Sequence, residues 1–185
     1  MADLYADSDF SRTVLHPQCP PYALDISYRK ALFIKEILGY NADIICLQEV
    51  DNKIFDGDLN PVLSHEGFQG VFDRKGGQVS EGVACFWNSE KFELLKSSRM
   101  VLAERITEKD ENFSDIISAI EGNQELFESM TKRTTALQAV VLKCKNNSND
   151  KGTVLITLMD TSCAFLRRNF QIQPDMIAPL KDKKP

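Results

Sequence analysis

Positive charge, histidine and paired cysteines are all scarce in this chain. Lys and Arg number 22 against 27 Asp and Glu, a net charge of −5 over 185 residues. That balance argues against nucleic-acid binding through a broad basic face, yet it leaves room for a nucleic-acid enzyme whose carboxylates hold metal ions. The two histidines, His16 and His65, have no Cys or carboxylate neighbour at a metal-ligand spacing, so neither reads as part of a zinc site. The five cysteines (Cys19, Cys46, Cys85, Cys144, Cys163) are an odd number and contain no C-x-x-C pair. Cys46 and Cys85 sit in apolar, strand-like runs and read as reduced core thiols of a reducing compartment. No stretch approaches the roughly 20 apolar residues of a membrane helix. The opening MADLYADSDF has neither the basic end and apolar stretch of a secretion signal nor the acid-poor character of a mitochondrial presequence. No G-x-S-x-G elbow presents a serine nucleophile.

What is present is the composition of one globular domain, 43% hydrophobic and 26% charged. The run SYRKALFIKEIL (27–38) places Ala31, Ile34 and Leu38 on one helical face, widened by Leu32 and Ile37. Asp25 or Ser27 suits its cap, and Gly39 a left-handed end. DIICL (43–47) then predicts a short strand buried on both sides. Asn60 to Gly67 predicts a helix with a cap, a first-turn proline and a closing glycine. FQGVFDR (68–74), GVACFW (82–87) and FELLKSS (92–98) predict three strands of an antiparallel meander, turning at Lys75-Gly76-Gly77 and at Asn88 to Lys91. Residues 104–133 read as a charged helical surface insertion, broken at Gly122-Asn123. Strands are expected at 135–143 and 153–159. The domain is bounded at 1–153, with 154–185 a divergent, poorly ordered tail.

The stretch YNADIICLQEVD (40–51) carries the chemistry. An apolar strand ends by delivering Gln48 and Glu49 to its tip, where α/β sheets usually bind ligands. Glu49 there can bind a hard cation such as Mg²⁺. From periodicity alone, a strand-end carboxylate in a salt bridge or capping a loop is the commoner reading. Asp51 is a second candidate for the same site.

NADIICLQEVD resembles the metal-glutamate motif of the exonuclease–endonuclease–phosphatase superfamily. ADLYADSDFSRTVLHPQCPPYALD, YRKALFIKEILGYNADIICLQEVD and SEGVACFWNSEKFELL are similar to the branch of mitochondrial 2′,5′-phosphodiesterases, relatives of the CCR4-type deadenylases, nocturnin and the angel proteins. The likeness covers about the first 100 residues and continues more loosely to Lys143. It implies a four-layer α/β/β/α sandwich, of which this chain would be about one half, with Glu49 as a Mg²⁺ ligand. It also implies hydrolysis of 2′-5′ oligoadenylates and of poly(A) from the 3′ side, and a mitochondrial-matrix location, although without a presequence a cytoplasmic one fits too. Gln48 would neighbour the metal ligand in a structural role. Ser80 stands where that family often has His before the Glu81-Gly82 pair.

Several motifs of that family have no counterpart here. The Asn of its Tyr-Asn-Ile-Leu-Ala-Asp start is absent, and after Val154 the sequence reads ITLMDTSCAFLRRNF in place of Asn-Thr-His-Leu, with no later Gly-Asp-Phe-Asn or Ser-Asp-His. In-line hydrolysis needs an oriented water, a metal and a stabilised leaving oxygen together. The expectation is therefore a truncated form with little or no activity and no catalytic residue beyond the Glu49 ligand. The alternative is a non-catalytic half-domain that binds RNA or a protein partner.

Overall fold

The computed structural model describes residues 8–145 and 153–160. After a π-turn at Ser11–Leu15, two helices follow, α1 (Pro21–Leu24) and α2 (Ile26–Gly39). Strand β1 (Ile44–Asp51) leads into a helical run made of α3 (Asn52–Ile54), a π-turn (Phe55–Leu59) and α4 (Asn60–His65). Then come β2 (Phe68–Arg74), β3 (Glu81–Asn88) and β4 (Phe92–Val101). Helices α5 (Leu102–Thr107), α6 (Ser114–Glu121) and α7 (Gln124–Thr131) precede β5 (Ala136–Cys144) and β6 (Thr153–Asp160).

The strands form two antiparallel sheets, ordered β1-β3-β2 and β4-β5-β6. The expected meander is thus corrected: β2 and β3 make a hairpin, but β4 leaves for the second sheet. Both edges of β3 are already taken, by β1 and β2, so no backbone row remains for β4. β6 pairs with β5 from Thr153 to Asp160, which carries the ordered sheet past the boundary set at 153. Residues 161–185 of the expected tail lie outside the described residues.

β3 explains the layering. Its central six residues, Gly82 to Trp87, are all buried, because each face meets a different layer. Ala84 and Phe86 point into the helical side, where Phe33 and Ile37 of α2 join Ile45, Leu47 and Val50 of β1 and Ile54, Phe55, Leu59 and Leu63. Phe55 stacks between Phe72 and Phe86, at centroid distances of 5.0 and 5.3 Å. Val83, Cys85 and Trp87 point the other way, against Val140 and Leu142 of the second sheet. Helix on sheet on sheet is the packing of an α/β/β/α sandwich, and the chain forms about one half of it. Gln138, fully buried on β5, ties the sheets by donating from Nε2 to Asp73 Oδ2 at 2.9 Å.

Local details refine the sequence expectations. Asp25 caps α2 by accepting from the Ser27 N–H at 2.7 Å. Gly39 remains helical, and the left-handed residue is Asn41 at φ 49°, a side chain that tolerates that region. The buried face of α2 centres on Phe33 and Ile37, an i,i+4 pair, while Ala31 and Leu32 are exposed. Asn60 caps nothing, since the helix already runs through it from Asn52. The π-turn widens the ladder ahead of Pro61, whose ring and missing N–H disrupt regular i−4 bonding. β1 is buried on one face only, and Cys46 is exposed, contrary to its reading as a core thiol. The reason is position: among the described residues β1 is the edge strand of its sheet.

Residues 104–133 fold onto their own cluster, Ile106, Ile117 and Ile120, with Phe113, Phe127 and Met130 against it. Asn123 starts α7 by accepting the Leu126 N–H at 3.1 Å. Asn123→Ala is expected to cost about 1 kcal/mol, read as a lower urea midpoint with an unchanged slope.

Candidate metal centre

The β1–β3 ladder is regular from Ile44↔Trp87 to Leu47↔Ala84 and resumes at Val50↔Gly82. Gln48 and Glu49 lie between, in a β-bulge. Glu49 adopts φ +53°, a left-handed conformation that a non-glycine residue enters at a cost of about 1 kcal/mol or more. A bulge re-aims the side chain it carries. Here it lifts the Glu49 carboxylate out of the alternation of β1 and leaves it half exposed (51%) at the strand end.

Facing that carboxylate is a buried cation. The Lys75 side chain is only 5% exposed, and its Nζ lies 3.8 Å from Glu49 Oε1 and 3.3 Å from Glu81 Oε2. An ammonium removed from water costs several kcal/mol unless paired, and these two carboxylates are among the groups that face it. Because both carboxylates are substantially solvated, the ion pairs add little net stability. They organise charge more than they hold the fold together.

The backbone around Lys75 is pinned from both sheets. Its N–H donates to the Glu81 carbonyl at 2.9 Å, and the Gly76 N–H to the Thr134 carbonyl at 2.9 Å. Arg99 of β4 donates from Nε to the Arg74 carbonyl at 2.7 Å and from Nη2 to the Lys75 carbonyl at 3.2 Å. Gly77, at φ +65°, makes the turn that the sequence suggested.

Asp51 has a different task from Glu49. It is buried; Oδ1 accepts the Lys53 N–H at 2.8 Å, capping α3, and Oδ2 accepts from Ser80 Oγ at 2.6 Å. Asp51 therefore anchors the chain just past the bulge. Ser80→Ala is expected to lower stability by about 2 kcal/mol, the scale of a hydrogen bond to a buried charge, measured by urea denaturation. His16 and His65 are exposed and apart from this centre.

Mg²⁺ commonly takes one or two carboxylates and fills its remaining positions with water and phosphate oxygens. Glu49 meets that demand: a hard oxygen donor, open to solvent, on a backbone fixed by pairing on both sides. Among the described residues no three Asp, Glu, His or Cys side chains converge. Sequence reasoning singled out Glu49 but not Lys75, which faces it, or Arg99, which holds the Lys75 carbonyl. A lysine before Gly-Gly reads as a solvated turn residue, and nothing local signals that a second sheet will bury it.

The Endonuclease/Exonuclease/phosphatase family matches residues 10–107. Mouse 2′,5′-phosphodiesterase 12 is 40% identical over 157 residues, covering 85% of this chain and 25% of that protein. The chain thus spans about a quarter of the length of the curated relatives it matches first. The human Nocturnin catalytic domain with bound sulfate superposes with a TM-score of 0.51 at 26% identity, over 74% of this chain and 43% of that one. ANGEL2, described as a 2′,3′-cyclic phosphatase, gives a TM-score of 0.58 at 20% identity over 76% and 34%, a likeness of fold.

Proposed function

Since the chain belongs to the endonuclease/exonuclease/phosphatase family, we propose that it carries the metal-ligand half of a Mg²⁺-dependent phosphodiesterase site acting on 2′-5′ oligoadenylates and on poly(A) from the 3′ end. The observation that carries the reading is the Glu49 bulge: a strained, half-exposed carboxylate set opposite the buried Lys75. Backbone strain at a polar strand end is costly without a use. A bound Mg²⁺ would supply charge neutralisation of the phosphodiester and a more acidic water. Glu49 would hold that ion through one carboxylate. Lys75 sets the local charge, and Arg99, through the Arg74 and Lys75 carbonyls, fixes where that ammonium sits. Asp51 and Ser80 hold the strand end against β3.

One carboxylate and one ammonium do not orient a nucleophilic water or stabilise a leaving oxygen. We accordingly assign full turnover to groups beyond Glu49 and Lys75, and little or none to this stretch alone. The same shortage favours, as a second reading, a non-catalytic module that binds RNA or a protein partner. We infer a mitochondrial-matrix location from the resemblance to the 2′,5′-phosphodiesterases, with a cytoplasmic one as the alternative; among the described residues no helix is long and apolar enough to cross a membrane.

The test is Mg²⁺-dependent release of AMP from a 2′-5′-linked triadenylate by the purified chain, beside a 3′-5′-linked oligoadenylate. The expected result is release no greater than that of Glu49→Gln, together with Glu49-dependent Mg²⁺ binding. AMP release that Glu49→Gln abolishes would show that the stretch suffices for turnover. Absence of both release and Glu49-dependent binding would leave the binding-module reading.

A further inference from the structure

Cys46 and Cys85 are direct partners in the β1–β3 ladder. Residues opposite each other in an antiparallel pair share a face and have Cα atoms about 4.5 or 5.5 Å apart, depending on the hydrogen-bonding site. Both spacings fall within the roughly 4.4–6.8 Å that a disulfide spans. The two differ in access: Cys46 is exposed on the edge strand, whereas Cys85 is buried beside Val83, Trp87 and Val140.

We propose that Cys46 and Cys85 form a thiol–disulfide exchange site for low-molecular-weight disulfides, with Cys46 attacking and Cys85 resolving. The Cys46 thiolate attacks one sulfur of oxidised glutathione, forming a mixed disulfide and releasing one glutathione thiolate, which takes up a proton. Cys85 then attacks the Cys46 sulfur, and the second glutathione leaves as thiol with the Cys85 proton. The balance is two protein thiols oxidised to one disulfide and one glutathione disulfide reduced to two thiols.

Access sets the order: Cys46 is exposed and Cys85 is buried, and burial pushes the Cys85 thiol up. The exposed sulfur is thus the better nucleophile and the one an oxidant can reach. The resulting bond would be labile. Opposed Cβ atoms lie about 4.5–5.5 Å apart, wider than the roughly 3.8 Å average of disulfides, so closing it strains the strands and makes it easier to reduce. The bond would fix the strand pair that carries Glu49 three residues on; any effect on metal binding rests on the metal reading above, and the test below does not depend on it.

The experiment uses the full chain with Cys19, Cys144 and Cys163 replaced by Ser, treated natively with oxidised glutathione. The expected product is a monomer two hydrogens lighter, with both thiols blocked to alkylation and a Cys46–Cys85 cross-linked peptide, reversed by dithiothreitol. Cys85→Ser should stop at a glutathione adduct on Cys46. Cys46→Ser should leave Cys85 at least about tenfold slower to react than Cys46. An adduct that persists on Cys46 with Cys85 present, a cross-linked dimer, or equal reactivity of the two single thiols would overturn the proposal.

Discussion

Glu49→Gln is expected to weaken Mg²⁺ binding at least about tenfold, equivalent to about 1.4 kcal/mol, with the unfolding midpoint little changed. The substitution removes one negative charge and one hard oxygen donor while keeping the length of the side chain. Gln suits a bulge no worse than Glu, so β1 should keep its register with β3 on both sides. If Glu49 is the carboxylate that holds Mg²⁺, as proposed, its loss removes a large fraction of the binding energy. Calorimetric titration of Mg²⁺ into both proteins checks the affinity, and urea denaturation checks the fold. An unchanged affinity in a folded variant would place the ion elsewhere in the chain.

Gly82→Ala should be among the most destabilising single changes near the site, at about 3 kcal/mol. Gly82 pairs with Val50 just beyond the bulge and with Arg74 on the other side. A Cβ at this position would stand 2.2 Å from the Asp73 carbonyl oxygen and 2.8 Å from the Arg74 Cα. Both are backbone atoms of β2 and cannot rotate aside, so the strand itself must shift. The movement would reach Lys75, the first residue past the end of β2, and so disturb the charge facing Glu49. Thermal unfolding should fall by about 6–12 °C for a chain of this size. Gly39→Ala is the control: nothing lies within 4 Å of a Cβ there, and the residue is helical, so a gain of about 0.5–1 kcal/mol is expected. Equal effects at the two glycines would mean that β2 yields easily and that the close approach carries no weight.

Some of this architecture was legible in the residue pattern alone. The strand stretches 68–74, 82–87 and 92–98 all lie within observed strands, because alternating and continuous apolar runs between turn residues leave few other ways to bury them. Glu49 was singled out for a related reason, as the carboxylate in the Gln48-Glu49 pair that follows four apolar residues near the end of a strand. The family likeness added the half-sandwich and, as an expectation, the metal. Its implied substrate and location stay with the proposal above.

The rest depended on contacts distant in sequence. Which face of α2 is buried was decided by where β1 and the 52–65 helical run sit, and Phe33 and Ile37 fill that space. Whether β4 continues a meander was decided at β3, whose edges were already occupied. Lys75 became part of the centre only because β4 and β5 close over its loop, through Arg99 and Thr134. By itself, then, the sequence determined most of the elements and placed a carboxylate at the end of β1, since propensity and periodicity act over a few residues. The left-handed bulge, the buried ammonium and the facing thiols were decided by tertiary pairing, because register and burial are set by partners tens of residues away.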